Sequence, residues 1–446
     1  MNATKCSQSG VEDETHHPHG VTDESSAVSD NLLCHDERQL VKWCESHGAT
    51  TKLDISWFEG FGRGALGRVD VNTGDVAFEI PASILISEAL LKGTVVYHIL
   101  EENDDFCSET SMLLWTMKER NNKNSKFRIY FDSLPQEFRT GLSFGSEALI
   151  ELDGTLLLEE LTQAKQVKFY KSYSSLKIIM NLFIFQHLRD QYKKLFSFLF
   201  THYLDIFSPE LYTWENYLWA CELWYSNGMK ILFPDGKLKT CLVPVAGFLN
   251  HSLKPHIATY GKVDTLSDTL KFELCRPLVT GEQCFLFYGN FPSSHFLAFY
   301  GFIPDGDNPS DGIPIEIDEG DEKHIVNVSC LSNNHGLFNY GLPTSLLESL
   351  RNAKGNSNEN DNSMVSKLEM EIEILNELHE IFSCMLKGLG DSNTIEREHS
   401  SWDVKLALNY KDLQKKIVSS VVASCAQGLD LVRIELLRLG AFIDAL

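Results

Sequence analysis

The sequence of 446 residues lacks closely spaced cysteine pairs. None of its eleven cysteines stands in the C-x-x-C spacing with which two thiolates hold one zinc ion. A chain of this length also needs no disulfide framework in order to fold. We therefore expect no metal site, and reduced, partly buried thiols in an intracellular protein.

The sequence has no excess of positive charge and no long apolar run. Its formal net charge of −23 argues against binding to a phosphate backbone, so we expect no nucleic-acid partner. An acidic surface is able to attract a lysine-rich protein, although it also serves solubility alone. The longest apolar stretch, Ile178 to Phe185, is too short to cross a bilayer, and no membrane partner is expected.

The N-terminal tail contains one lysine, Lys5, and no arginine among many acidic residues. Transit peptides are rich in arginine and poor in acidic residues, and secretory signals carry an apolar core. Residues 1–35 resemble neither, and their composition predicts a disordered acidic tail. The cluster of His16, His17 and His19 is interpreted as incidental. We expect a cytoplasmic or nuclear protein.

After the tail, segments with a strand-like pattern alternate with segments with a helical pattern, which predicts the α+β class. A helix is expected to begin near Asp36, and a strand meander runs from Ile55 to Ile86. Leucines and aromatic residues recur at helical spacing from Ser87 to Tyr225. Strands are predicted to resume from Thr240 to about Ile317.

The C-terminal part is predicted to be helical after a polar linker, Arg351 to Ser363. Such amphipathic helices usually form the core of a bundle, although they can also receive a partner. One predicted stripe is formed by Leu368, Ile372, Leu375 and Leu378, and a second by Leu406, Tyr410, Leu413, Ile417 and Val421.

A glycine-rich segment contains the pattern G-x-G-x-x-G at Gly62, Gly64 and Gly67. The letters match a dinucleotide-binding motif, but the following segment, Arg68 to Ile80, is predicted to be a strand. No helix N-terminus would then meet a pyrophosphate. Two interpretations remain open, namely a backbone cradle for another cofactor and a plain tight turn.

Two further motifs place polar side chains beside apolar segments. Asn250-His251-Ser252 follows the run from Leu242 to Leu249, and Tyr288-Gly289 follows a strand-like passage. Taken alone, the first is typical of a strand that ends in a turn or a helix cap. The second is typical of ordinary packing at a strand end. Neither motif alone identifies a function.

Together, and in this order, these motifs resemble those of the SET-domain protein methyltransferases of the Rubisco large-subunit methyltransferase-like class. Tyr300-Gly301-Phe302 resembles the last active-site motif of that family. The resemblance runs from about Asp36 to the C-terminus. It implies a SET-type β fold interrupted by a helical insert and followed by an all-α substrate-binding domain. The implied ranges are 36–87 and 226–317 for the SET domain, 88–225 for the insert and 318–446 for the helical domain.

The resemblance also implies a role for each motif residue and S-adenosylmethionine as the cofactor. The catalytic residues would be Tyr288 and Tyr300, and Tyr288 would also contact the cofactor. The other implied cofactor-binding residues are Gly62, Arg63, Gly64, Asn250 and His251, and the implied substrate pocket is formed by Met229, Ala246 and Tyr300. The implied partner is a protein that offers a lysine side chain. Met229 stands where the histidine-methylating branch has an asparagine, which favours lysine.

The chain departs from the family pattern in three places. Ser226-Asn227 stands where the family has Ser-Arg, so a cation beside the cofactor carboxylate is missing unless Arg63 or Lys230 replaces it. An acidic residue before Asn-His is replaced around Gly247, and Phe291-Pro292-Ser293 replaces a KSN-like stretch. A catalytically silent SET-like protein that binds a partner through its C-terminal helices is therefore the alternative. A scaffold that acts through its acidic surface is a third hypothesis.

Overall fold

The computed structural model describes most of the chain after its N-terminal tail. The described residues are 37–101, 108–155, 157–158, 176–319, 322–329, 335–355, 363–390 and 397–440. The expected tail, residues 1–35, lies outside them, as does Asp36. Residues 37–46 form the first helix, α1, which Leu40, Val41 and Cys44 anchor in the core.

Among the described residues before the C-terminal region, ten short strands form three small sheets. Their orders are β2-β3-β10-β8, β1-β4-β9 and β5-β7-β6, so both β-rich stretches of sequence contribute to every sheet. The strands are β1 Thr50–Thr51, β2 Leu53–Phe58, β3 Gly62–Gly67, β4 Val76–Pro81, β5 Ile86–Ser87, β6 Met229–Leu232, β7 Leu238–Leu242, β8 Asn250–His251, β9 Thr269–Glu273 and β10 Gln283–Leu286.

The glycine-rich segment is itself a strand, where the sequence predicted a turn. The turn that precedes β3 lies between Phe58 and Gly62, where Gly60 and Gly62 have positive φ angles of 78° and 71°. The predicted strand from Arg68 to Ile80 is also wrong in its first half, because β4 begins only at Val76. The turn around Gly74 leads from one sheet into another and closes no hairpin.

A helical insert separates the two β-rich stretches, as the sequence predicted. Its helices are α2 Val95–Glu101, α3 Ser108–Asn121, α4 Arg128–Ser133, α5 Ser146–Glu151, α6 Leu176–His202 and α7 Trp214–Asn227. The Thr213 hydroxyl accepts a bond from the Asn216 amide and so caps α7. Strand β6 begins at Met229, two residues after α7 ends, where the sequence predicted β structure only from Thr240.

The C-terminal region is helical, and a β-hairpin contributes to its core. Strands β11 Ile313–Glu319 and β12 Glu322–Val328 pair antiparallel, and Ile313 and Val328 are buried in the same cluster as Leu346. The predicted boundary at 317 therefore cuts through a strand. Helix α8, Ser293–Tyr300, precedes the hairpin and lies outside this region, whose helices are α9 Thr344–Gly355, α10 Met364–Gly388 and α11 Trp402–Arg438.

The predicted linker is helical over its first five residues, because α9 continues to Gly355. The Arg351 guanidinium donates to both carboxylate oxygens of Glu371 in α10, at 2.6 and 2.9 Å. Glu371 is almost fully buried, so this bidentate ion pair fixes α9 against α10. Residues 356–362 of the predicted linker lie outside the described residues.

Helix α11 joins the C-terminal region to the rest of the molecule. Its first turns pack against α5, and the Asp403 carboxylate accepts a bond of 2.9 Å from the Gly145 amide. The predicted stripe is correct only in part. Tyr410 and Val421 are buried, whereas Leu406, Leu413 and Ile417 are half-buried, because the polar residues Lys411 and Gln414 lie on the buried face. The buried positions include Val404, Ala407, Lys411, Gln414, Val418, Val421, Cys425, Val432 and Leu436.

Helix α11 is also long and apolar enough to cross a membrane, by length and composition only. No other helix among the described residues meets that test. Its apolar residues Val418, Val421 and Val432 are fully buried against the C-terminal bundle. The core helix of a bundle has the same composition as a membrane span.

Candidate active site

Two cavities meet in the SET-like part of the molecule. The larger, which we call the cleft, has a volume of about 530 Å³ and is lined by the turn after β2, the loop after α4 and the segment around β8. The smaller, which we call the channel, has a volume of about 30 Å³. Both cavities are lined by Ser226, Asn227, Gly247, Tyr288 and Tyr300.

Asn250 and His251 form a strand of their own, β8, which pairs parallel with β10. The preceding run, predicted to be a strand, instead contains a 3-10 turn at Ala246–Phe248. Val245 enters that turn with a φ of 69°, which is unfavourable for a β-branched residue. This turn brings the pair to the cleft, where the Asn250 amide donates a bond of 2.9 Å to the Arg63 carbonyl oxygen.

His251 is held as a neutral imidazole. Its Nδ1 accepts a bond of 3.2 Å from the Tyr288 amide, so the proton resides on Nε2. Burial lowers the pKa of the ring to about 4, and the ring stacks on Phe296 at 4.6 Å. No group among the described residues pairs with the buried Nε2. The site thus retains one unused hydrogen-bond donor.

Tyr288 and Tyr300 lie side by side where the cleft meets the channel. Their ring centroids are 5.0 Å apart, and the Tyr288 hydroxyl donates a bond of 2.6 Å to the Leu249 carbonyl oxygen. Burial, with the neighbouring phenol of Tyr260 as a smaller cause, raises the pKa of Tyr300 to about 12. Burial also raises the pKa of Tyr288. Both phenols therefore keep their protons at neutral pH.

Tyr300 is positioned by the two ends of helix α8. At the start, the Asp311 carboxylate accepts bonds of 2.6 and 2.7 Å from the amide and hydroxyl of Ser293. At the end, Gly301 adopts a left-handed φ of 75°, and a Cβ there would lie 1.8 Å from the Arg139 carbonyl oxygen. Only glycine allows this approach, so the last turn of α8 is fixed against the loop after α4.

The glycine-rich segment contributes to the cleft through Gly60, Phe61 and Arg63. Gly62 and Gly64, which the sequence predicted to bind a cofactor, are not among the lining residues. A Cβ on Gly64 would lie 2.5 Å from Gln283 Nε2 and 3.0 Å from Asn250 Nδ2. Gly64 therefore allows β3 to pack closely against the strands that carry the site.

The channel is lined by three tyrosines and three apolar side chains, together with the polar side chains of Ser226 and Asn227. The predicted pocket residues Met229 and Ala246 line it together with Tyr260 and Leu286. No carboxylate and no histidine is among its described lining residues. Tyr260 was missed because it lies in an irregular loop between β8 and β9, where no local pattern distinguishes it from other surface tyrosines.

Asn227 lies at the junction of the two cavities without a charge. Its amide donates a bond of 2.8 Å to the Ser226 hydroxyl, and its Oδ1 is 2.8 Å from where a Cβ of Gly247 would lie. Lys230, one of the two cations considered as a replacement, is exposed on β6 and lines neither cavity. Glycine at position 247 therefore leaves room for the Asn227 side chain, with which any larger residue at position 247 would collide.

Glu222 is a buried carboxyl group that sequence reasoning missed. It accepts bonds of 2.7 and 2.5 Å from the hydroxyls of Thr140 and Ser143, and so joins α7 to the loop beside the cleft. Burial raises its pKa to about 7, although the two hydroxyl bonds oppose the shift. Its partners lie about 80 residues earlier in the chain, so the local sequence around Glu222 does not indicate them.

Metal chemistry was not expected, and within the described ranges no cluster of three histidine, cysteine or acidic side chains has a suitable arrangement. The described free cysteines include Cys44, Cys221, Cys241 and Cys284, all of which are buried. Burial raises the pKa of Cys44 and Cys241 to about 12. These thiols act as small core residues.

Sequence comparison finds relatives that are named protein methyltransferases, while no family model matches the chain. The actin-histidine N-methyltransferase of Gallus gallus is 22% identical over 315 residues, covering 69% of this chain and 48% of that protein. The chloroplastic Rubisco large-subunit N-methyltransferase of Pisum sativum is 26% identical, covering 63% of this chain and 54% of that protein. The chain spans about half the length of these curated relatives.

Solved structures with the same fold come from the Rubisco large-subunit methyltransferase, LSMT. The SET domain of LSMT bound to lysine and AdoHcy matches with a TM-score of 0.60 at 17% identity, covering 91% of this chain and 96% of that chain. Rubisco LSMT bound to AdoMet matches with a TM-score of 0.57 at 18% identity and the same coverage. The predicted α+β fold with a C-terminal helical region is thus confirmed. The chain therefore has the fold of the LSMT SET domain and is similar in sequence to named protein methyltransferases of that class.

Proposed function

We propose that this chain is a protein-lysine N-methyltransferase that uses S-adenosylmethionine on a non-histone protein. The observation that carries the proposal is the meeting of the cleft and the channel at Tyr288 and Tyr300. A methyl donor in one cavity and an acceptor nitrogen in the other would face each other only at this junction. Two cavities of unequal size suit a large cofactor and one extended side chain.

The cleft residues fit S-adenosylmethionine. The volume of about 530 Å³ lies within the range of about 300–1,000 Å³ typical of small-molecule sites. The unused Nε2 donor of His251 offers a bond to an acceptor on a ligand, and Phe61 and Phe285 add an aromatic wall. When bound, this cofactor supplies a methyl group that is electrophilic because it is attached to a sulfonium.

The channel favours a neutral amine. A lysine ammonium has a reference pKa of about 10.4, and transfer from water into a narrow channel with no carboxylate among its described lining residues disfavours its charged form. Met229, Ala246 and Leu286 offer no charge that would compensate for the lost water. The amine would therefore release its proton to solvent on entry and present a lone pair at the junction.

The two tyrosines position the reacting groups and do not act as bases. Because burial raises the pKa of both phenols, neither takes up the proton of the amine near neutral pH. The bond from Tyr288 to Leu249 holds one ring in place, and α8 holds the other. Alignment of two reactants at van der Waals contact can lower a barrier by several kcal/mol.

Met229 supports lysine over histidine as the acceptor. An imidazole has a second ring nitrogen that needs a hydrogen-bond partner when buried. The Met229 thioether is a weak acceptor and cannot donate. A lysine amine at the end of an apolar stem has no such requirement.

Transfer of a radiolabelled methyl group from S-adenosylmethionine into proteins of a cell extract tests the proposal. We expect label in protein with the native enzyme, and in methyl-lysine after hydrolysis of that protein. Label in methyl-histidine would overturn the choice of lysine. An absence of label above the background of Tyr288→Phe would contradict the proposed activity.

One observation favours a second function, that of a silent binding protein. Asn227 brings no charge to the junction, so the cofactor carboxylate has no partner at this position. The two functions are distinguished by binding of S-adenosylhomocysteine. If the chain binds a partner protein through α10 and α11 but does not bind S-adenosylhomocysteine, it is a silent binding protein.

The proposal includes a location in the cytoplasm or the nucleus. It is supported by the buried free thiols of Cys221, Cys241 and Cys284, since reducing compartments keep thiols unpaired. Microscopy of a C-terminal fluorescent fusion tests it, and accumulation in a secretory or plastid compartment would contradict it.

A further inference from the structure

Among the described residues that line the cleft, one basic side chain has no hydrogen-bond or ion-pair partner. Four of its lining residues have ionisable side chains that bear on a ligand's charge, namely Arg63, Arg139, His251 and Asp305. The imidazole of His251 is neutral and the carboxylate of Asp305 repels anions. A cationic partner for the α-carboxylate of S-adenosylmethionine would therefore be one of the two arginines.

Arg63 is already committed to protein groups. Its guanidinium donates bonds of 2.9 Å to the Glu37 carboxylate and 2.5 Å to the Ser133 carbonyl oxygen. The Glu37 side chain is 3% exposed, so movement of Arg63 into the cleft would break a buried ion pair. The guanidinium also lies over the Phe248 ring at 5.0 Å. This arginine is a structural cation.

Arg139 lines the same cleft as Arg63, but its guanidinium is not committed to protein groups. The side chain is exposed, and no ion pair or hydrogen bond with a described residue engages it. Its backbone is nevertheless fixed, because its carbonyl oxygen lies against Gly301. A fixed backbone with an uncommitted guanidinium is suited to bind a ligand rather than to stabilise the fold.

Two hydrogen bonds connect the segment that carries Arg139 with the segment that carries Asn227. The hydroxyl of Thr140, the next residue, donates to the Glu222 carboxylate at 2.7 Å. The hydroxyl of Ser226, which precedes Asn227, donates to the Glu222 carbonyl oxygen at 2.6 Å. Glu222 thus bonds to Thr140, the neighbour of Arg139, and to Ser226, the neighbour of Asn227. All of these four residues line the cleft.

We propose that Arg139 binds the carboxylate of the methionine portion of the cofactor, in place of the cation that Asn227 cannot supply. The assignment rests on the proposed function, since it requires S-adenosylmethionine or its product in the cleft. It identifies Arg139 as a binding residue and not a catalytic one. It also explains how a cleft with an uncharged Asn227 retains affinity for a ligand that carries a carboxylate.

Calorimetric titration with two ligands tests the assignment on the full chain. S-adenosylhomocysteine carries the carboxylate, whereas 5′-methylthioadenosine lacks the amino-acid portion. Arg139→Ala is expected to weaken binding of the first roughly tenfold, the effect of losing one charge-assisted bond, and to leave the second unchanged. Arg139→Lys should restore part of the loss. Arg433→Ala, which removes another exposed arginine from the C-terminal half of α11, should change neither affinity.

The outcomes separate the assignment from the proposed function. If the native chain binds both ligands and Arg139→Ala weakens them equally or not at all, Arg139 does not bind the carboxylate, and the proposed function stands. If the native chain binds neither ligand, the proposed function fails and the assignment fails with it. The assignment is supported if Arg139→Ala weakens the binding of S-adenosylhomocysteine alone. High salt should then weaken the binding of the same ligand to the native chain.

Discussion

The hydroxyl of Tyr288 donates a 2.6 Å hydrogen bond to the carbonyl oxygen of Leu249, 39 residues earlier in the chain. Leu249 directly precedes Asn250 and His251, and the amide of Tyr288 donates to the His251 ring. Two bonds, both donated by Tyr288, therefore connect the two motifs that the sequence analysis identified. The connection fixes the phenol at the junction of the cleft and the channel, where we propose that methyl transfer takes place.

Tyr288→Phe removes that hydroxyl and is expected to reduce the rate of methyl transfer at least tenfold. Binding of S-adenosylhomocysteine should change little, and the free energy of unfolding should fall by only about 1 kcal/mol, the value of one hydrogen bond. Single-turnover transfer and thermal unfolding measure these quantities. Tyr192→Phe is the matched control, because it removes a tyrosine-to-carbonyl bond of 3.1 Å in the helical insert. A normal rate for Tyr288→Phe would contradict its role.

Gly64→Ala is expected to destabilise the protein and to weaken cofactor binding together. The new Cβ would lie 2.5 Å from Gln283 and 2.8 Å from Phe58, so β3 would move away from Asn250. Overpacking of this kind costs about 1–3 kcal/mol. Gly261→Ala is the control, since its Cβ would meet nothing within 4 Å. Chemical denaturation and calorimetry measure the two effects, and equal stability of both variants would refute the packing argument.

Glu222→Gln is expected to change how stability depends on pH. Because the pKa of Glu222 is raised from 4.5 to about 7, the folded protein holds a proton that the unfolded chain has lost across that interval. The free energy of unfolding should therefore fall as pH rises from about 4.5 to 7, by roughly 2–3 kcal/mol from this group. Glutamine can still accept both hydroxyl bonds and should remove this fall.

Denaturation across pH 4.5 to 8 measures the Glu222 effect as a difference between the native protein and the variant. The free energy of unfolding of Glu222→Gln should rise relative to that of the native protein as pH rises. Glu215→Gln, an acidic residue in the first turn of the same helix, is the control and should leave the profile parallel to that of the native protein. A constant difference between Glu222→Gln and the native protein would show that Glu222 ionises normally.

Met229→Asn tests the lysine preference of the channel. An amide buried there without a partner costs about 1–3 kcal/mol, so label in methyl-lysine should fall roughly tenfold. Any residual label should shift toward methyl-histidine, because the amide can bond to an imidazole nitrogen. Amino-acid analysis after transfer measures both products. Unchanged labelling of lysine would show that Met229 does not line the path of the acceptor.

The fold class was predictable because hydrophobic periodicity changes sharply along this chain. The order of the Asn250-His251 and Tyr288-Gly289 motifs also indicated the resemblance to SET-domain methyltransferases, since their ordered spacing is far more specific than either motif. Strand β3 was mistaken for a turn because a strand rich in glycine has little side-chain alternation. Its pairing with β2 and β10 depends on partners that local sequence does not show.

Other features were unpredictable because they depend on tertiary contacts. The buried face of α11 includes Lys411 and Gln414, so its apolar pattern is clearer on the neighbouring, half-buried face. Tyr260 and Arg139 lie in irregular loops, and only the fold brings them to the channel and the cleft. Loops carry much of the function in proteins for this reason.

A crystal structure of the chain with S-adenosylhomocysteine is the most direct test of the central claim, that the cleft is a cofactor site ending at Tyr288 and Tyr300. We predict the ligand in the cleft, with its thioether sulfur facing the channel between the two phenols. An occupied cleft with the sulfur turned away from these tyrosines would contradict the proposed transfer. A cleft that stays empty at saturating ligand would contradict the claim as a whole.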